Sequence, residues 1–262
     1  MSGNGEQFFT AGLSLPCTTA EALQNIHEIP ECFEKLELSG ELIHDAANLR
    51  RENPLLSEFE EINFRNILPE NLTAQLTLSD GMIVNEYKKQ LRELFMRAHE
   101  CGSSYVSIDP DWEALFSSES RRRILNDVLR STAGDREYYN MTLAITVRFV
   151  RERVLDPAKS LEFLHSINNY RVKLVLDINP HDLRKSETDW QKVLKMFRFD
   201  TAAVRFCYPS ELGNKLLYPH IEPFIEALKL WKQETLIYIA PSGRADFNEL
   251  AETVKAINSE SI

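Results

Sequence analysis

The chain has 262 residues, 43% of them hydrophobic and 27% charged, with 30 Lys and Arg against 40 Asp and Glu for a formal charge of −10. A balance this acidic argues against sequence-independent binding to phosphate backbones, which needs clustered cationic charge, so nucleic acid is not an expected partner. No stretch approaches the ~18 uninterrupted apolar residues of a bilayer span, and MSGNGEQ at the start lacks the features of a secretory signal, so the expectation is a cytoplasmic protein with no membrane partner.

Eight short β-prone runs recur along the chain: FFTAGLSL (8–15), FEKLEL (33–38), TAQLTL (73–78), SYVSID (104–109), TLAITVRFV (142–150), KLVLDI (173–178), AAVRFCY (202–208) and TLIYIA (235–240). Helical stretches separate them. TTAEALQNIHEI opens with Thr18 or Thr19 as a plausible N-cap. The stretch from Asn85 to Cys101 repeats apolar residues at three and four (Tyr87, Leu91, Leu94, Phe95, Ala98), and Gly102 stands where a helix C′ glycine belongs. The same patterning predicts helices from Asp156 to Ile167, Glu187 to Phe197, Pro219 to Lys232 and Asp246 to Ile257. Between Leu42 and Leu68 the pattern is less regular, with a helical piece near Leu55 to Phe64. The basic run Arg121 to Arg123 reads as the solvated face of a helix start.

Alternating strands and helices imply right-handed crossovers and a parallel sheet, and eight repeats over about 250 residues favour closure into a (β/α)8 TIM barrel, one α/β domain over 1–262 with 1–7 as a disordered tail. An open doubly wound sheet would want a Gly-rich loop after its first strand, which LSLPCTT does not supply. Four scattered cysteines (Cys17, Cys32, Cys101, Cys207) without a CxxC pair fit reduced thiols rather than a disulfide framework or structural zinc.

Barrel chemistry sits on the loops after the strands. Side chains alternate along a strand, so Arg148 shares a face with Thr146, Asp177 with Asn179, and Arg205 with Cys207. Glu37 ends the second run and reads either as a base or as an ion-pair partner. His181 after the sixth strand is placed for proton transfer, Asp109 closes the fourth strand, and Trp112 either walls a sugar site or simply packs. The loop PSGRAD (241–246) offers Ser242, Gly243 and Arg244 where barrels often bind phosphate, or else an ordinary helix cap.

Several phrases resemble the xylose-isomerase-like barrels, the sugar phosphate isomerase/epimerase group. FEKLEL is similar to that group's second strand, AHECGSSYVSIDP to its helix end and fourth strand, TLAITV to its fifth, and KLVLDINPHDL to its sixth. The resemblance implies a divalent metal held by carboxylates ending strands five, six and eight and by a histidine. Only Asp177 matches: Thr146 stands at the strand-five position, RFCYPS offers no histidine, IYIAPS no carboxylate, and His181 lies one place beyond the motif's histidine. The expectation is therefore no cofactor and no family-type metal site, the alternative being an unorthodox divalent site with Glu37, Asp109 or Asn179 as supplementary donors. In the metal's place the guanidinium of Arg205, with Arg148, either grips a small anionic sugar-like ligand or merely pairs with Asp177. Two functions follow: an isomerase/epimerase-like enzyme in which Glu37, Asp177 or His181 moves a proton next to a carbonyl, or a catalytically inactive barrel that binds a small molecule or a protein.

Overall fold

The computed structural model describes residues 9–15, 29, 32–68, 81–149, 156–180, 189–208, 218–241 and 247–259. Eight parallel strands close in sequence order: β1 (Phe9–Ser14), β2 (Lys35–Ser39), β3 (Glu61–Arg65), β4 (Tyr105–Ile108), β5 (Thr142–Phe149), β6 (Val172–Ile178), β7 (Thr201–Tyr208) and β8 (Thr235–Pro241), with β8 pairing back to β1. The chain is thus a single-domain (β/α)8 TIM barrel. Nine α-helices are described: α1 (Ala46–Glu52), α2 (Gly81–Glu100), α3 (Trp112–Ser117), α4 (Glu119–Ser131), α5 (Ala133–Tyr138), α6 (Pro157–Ile167), α7 (Trp190–Phe197), α8 (Tyr218–Lys229) and α9 (Phe247–Ser259). No described helix is long and apolar enough to cross a membrane.

Local chemistry explains the boundaries. The stripe on α2 (Tyr87, Leu91, Leu94, Phe95, Ala98) is buried, and Gly102 takes φ +77° just beyond the helix, a conformation only glycine adopts without strain. Asp156 caps α6 by accepting from the N–H groups of Ala158 and Lys159. Asp189 caps α7 in the same way through Lys192 N–H, so that helix begins later than Glu187. The helix expected near Thr18 to Ile29 lies almost wholly outside the described residues.

One strand assignment is corrected. The third barrel strand is Glu61–Arg65, preceded by a 3-10 turn over Pro54–Glu58, and it pairs with β2 through Asn63 opposite Glu37. The sequence pattern placed a helical piece there and put the strand at 73–78, residues outside those described. EINFR does alternate, but in inverted form: Ile62 and Phe64 face the helices while Glu61, Asn63 and Arg65 face the barrel axis, so a strand with a polar inner face read as an irregular segment.

That inversion runs through the molecule. The main apolar core lies between sheet and helices and includes Leu36, Leu38, Ile62, Phe64, Val147, Leu176, Phe206 and Ile237. Inside the barrel the apolar residues form a separate, small cluster of Tyr105, Ala144, Val175, Ala203 and Tyr238. Most of the rest of the described interior is polar and hydrogen-bonded, as burial demands, the Thr146 hydroxyl being an exception.

Candidate functional site

From the N-terminal ends of the strands upward, the interior is a stack of paired groups. At the bottom, Lys35 Nζ donates to Glu61 Oε2 at 2.8 Å, and the Ser104 hydroxyl bonds the same carboxylate. One step higher, Asn63 Nδ2 donates to Glu61 Oε1 at 2.7 Å and to Tyr238 Oη at 2.9 Å, while its Oδ1 accepts the Ser104 and Tyr105 N–H groups. Gly12 leaves room for the Tyr238 ring: a Cβ there would lie 2.5 Å from Cε1 and 2.7 Å from Cδ1.

Glu37 and Arg205 occupy the centre. Glu37 is 0% and Arg205 1% exposed. Arg205 donates from Nε to Glu37 Oε2 at 2.8 Å and from Nη2 to Glu37 Oε1 at 2.6 Å, and its Nη1 bonds Asp177 Oδ1. Ser14 Oγ and Tyr105 Oη each donate to Glu37 at 2.5 Å. Burial alone would raise the Glu37 carboxyl, but the charge and hydrogen bonds of Arg205, with Arg65 and Ser14, outweigh it and hold the group below the ordinary glutamate value. Burial and the neighbouring charge of Glu37 push Tyr105 and Tyr238 well above the usual phenol range, so both stay protonated, Tyr105 donating to Glu37 and Tyr238 accepting from Asn63.

Asp177 stands at the mouth end. Its in-register neighbours are Arg148 on β5 and Arg205 on β7, one on each side. Oδ1 is held by Arg205, whereas Oδ2 lies 4.0 Å from Arg148 Nε, beyond hydrogen-bond reach. Burial raises the Asp177 carboxyl, and Arg205, Arg148 and Arg65 do not bring it back because the Glu37 charge opposes them. Two carboxylates sharing one guanidinium are thus driven apart in proton affinity, the arrangement that separates an exchangeable group from a fixed charge. Arg148 bonds Asp109 and keeps 49% of its side chain exposed.

The geometry brings together Glu37, Asp177, Arg205, Arg148 and Asp109. It corrects the picture of Arg205 as a hand for a ligand anion: all three of its nitrogens are spent on Glu37 and Asp177, and the buried group has no face for a third carboxylate. It also corrects Trp112 as a sugar-site wall, because the ring is buried among Phe116 (5.3 Å between centroids) and Phe163 (5.9 Å) while Nε1–H donates to the Thr146 carbonyl at 2.7 Å. His181, Ser242, Gly243 and Arg244 lie outside the described residues. Sequence reasoning missed Ser14, Asn63, Arg65, Tyr105 and Tyr238; the polar face of EINFR was the signal that could have found the third strand and, through it, Asn63 and Arg65.

The donors do not fit the divalent ion that the family resemblance implies. Among the described residues no group of three His, Cys, Asp or Glu side chains converges. The strand-five position holds Thr146, whose buried hydroxyl has no hydrogen-bond partner. Cys207 on β7 is pushed up to about 12, chiefly by burial, and a protonated thiol is a poor ligand. Guanidinium groups flank Asp177 on both sides, repelling a second cation.

The protein resembles solved structures across its whole length. A D-tagatose 3-epimerase-like protein is 16% identical with a TM-score of 0.67, covering 97% of this chain and 100% of that one. A xylose isomerase domain protein from Planctomyces limnophilus is 10% identical with a TM-score of 0.61, covering 97% of each chain. The fold is that of the xylose-isomerase-like sugar epimerases. A family 2 AP endonuclease from Brucella melitensis, 14% identical over 95% of this chain and 98% of that one with a TM-score of 0.67, has it too, so the xylose-isomerase-like fold does not by itself choose a chemistry. No family model and no curated protein matches the sequence.

Proposed function

We propose that the protein is a sugar isomerase/epimerase-like barrel that binds a small anionic sugar at its mouth and moves a proton next to a carbonyl without a metal. The observation that carries this reading is Asp177: a carboxylate near the mouth with one oxygen fixed by Arg205, the other outside hydrogen-bond reach of Arg148, and a raised proton affinity. In this scheme Asp177 Oδ2 takes the proton from the carbon beside the carbonyl. The electron pair moves onto the carbonyl oxygen, where the half-exposed Arg148 stabilises the enediolate; Asp177 then delivers the proton to the former carbonyl carbon while the neighbouring hydroxyl passes its proton to the former carbonyl oxygen, so that carbonyl and alcohol exchange places. Glu37 is the permanent negative charge that keeps Arg205 in place. The formal charge of −10 favours a sugar over the nucleic acid that the endonuclease relative's name brings to mind.

The test uses protein treated with EDTA, a panel of sugar phosphates and sugar acids in D2O, and NMR detection of deuterium entering the carbon next to the carbonyl. Exchange that disappears in Asp177→Asn supports the reading. Exchange that survives in that variant, or that requires added metal, overturns it. A second reading, binding without turnover, is favoured by one observation: Glu37 is saturated by Arg205, Ser14 and Tyr105 and has no lone pair left for a substrate proton. Under that reading the panel gives a thermal shift that Arg148→Ala abolishes, with no deuterium incorporation.

A further inference from the structure

We infer that Arg205 is a resident cation holding the position between Glu37 and Asp177 to which a divalent ion would otherwise be drawn, so that the barrel takes no metal while Arg205 is present and becomes a metal site when a histidine replaces it. Arg205 holds that place by charge and geometry whether or not a sugar is turned over.

Strands β2 and β6 stand opposite each other in the eight-stranded ring. Each points a carboxylate at the axis, and two such charges cannot be left unpaired in a water-poor interior. The cation that pairs them comes from β7. Arg205 bonds Asp177 on the adjacent strand and, through its other two nitrogens, reaches across the barrel to Glu37. All three guanidinium nitrogens are engaged. The surroundings are those of a cation site rather than of an incidental ion pair: Ser14 and Tyr105 donate to Glu37 from two further strands, and Arg65, which bonds Ser14 Oγ at 3.3 Å, adds positive charge without touching either carboxylate.

The substitution that exposes this is specific. With Arg205→His the β7 position offers a neutral imidazole beside Glu37 and Asp177, a nitrogen and two carboxylates, which is a donor set suited to Mn²⁺, Co²⁺ or Zn²⁺.

The experiment compares untagged wild-type protein and Arg205→His for metal content by mass spectrometry and for thermal midpoint with Mn²⁺, Co²⁺, Zn²⁺ or EDTA. Wild type is expected to carry substoichiometric metal and to keep its midpoint in EDTA. Arg205→His is expected to take up one equivalent and to gain about 5–10 °C at a metal concentration roughly 100 times Kd, reversed by EDTA. Should the variant not fold alone, refolding it with and without Mn²⁺ decides: rescue by the ion supports the inference, and failure of rescue overturns it. Stoichiometric, EDTA-removable metal in the wild type, or a folded Arg205→His that ignores all three ions, also overturns it. Neither result depends on the deuterium exchange that tests the proposed function.

Discussion

Replacing Arg205 by methionine removes the cation that two interior carboxylates share while keeping most of the side chain's volume. The buried Glu37 then retains only the Ser14 and Tyr105 hydroxyls, and Asp177 loses the donor to Oδ1. Removing one partner of a buried ion pair costs about 3–5 kcal/mol, because the remaining charge stays buried without compensation. For a domain of this size, that corresponds to a fall in thermal midpoint of about 6–20 °C, a large share of the roughly 5–15 kcal/mol that holds a typical domain together. The sign with pH is fixed by the same argument. Without Arg205, burial raises the folded-state value of Glu37 above its unfolded one, so the variant's deficit is present at neutral pH and shrinks as the pH falls through that raised value. Urea unfolding followed by tryptophan fluorescence at pH 7.5 and pH 5 measures both quantities. The double variant Arg205→Met/Glu37→Gln should lose less than Arg205→Met alone, since it leaves no carboxylate stranded at the barrel centre. A deficit below about 1 kcal/mol in the single variant, or one that does not shrink at the lower pH, would show that Arg205 does not compensate two buried charges and would refute the reasoning.

Two further outcomes follow from the same interior. Gly12→Ala drives a methyl group into the Tyr238 ring, which is buried and tied to Asn63, so a loss of about 1–3 kcal/mol is expected in chemical denaturation; an unchanged midpoint would mean the ring is free to move. Glu37 is held below the ordinary glutamate value, so its contribution to stability is present above the unfolded value and is lost as the pH falls through the folded one, and Glu37→Gln should flatten the stability profile below about pH 4.3. Parallel acid limbs for wild type and variant would assign the acid sensitivity to other groups.

How much of this was legible in the sequence depends on which face of a strand a residue occupies. KLVLDI and TLAITVRFV announce themselves because their outward faces meet the helices and are strongly apolar, and seven of the eight barrel strands overlap runs read from such patterning. EINFR failed the same reading because its inner face carries Glu61, Asn63 and Arg65, which suggest a surface segment until their partners are known. The site divides in the same way. Alternation placed Asp177 beside Arg205 and Arg148, since neighbouring parallel strands put corresponding positions together, and that adjacency is what the register shows.

Contacts across the ring had no such signal. Glu37 lies 168 residues from Arg205 and Tyr105 lies 68 residues from Glu37, and only closure of the barrel brings them within hydrogen-bond distance. The sequence by itself determined the repeating strand and helix units, because periodicity is a local property. The tertiary structure decided what Arg205 does. A guanidinium on a strand is equally able to grip a ligand or to serve its own fold, and the choice is made by which carboxylates the closed ring points at it.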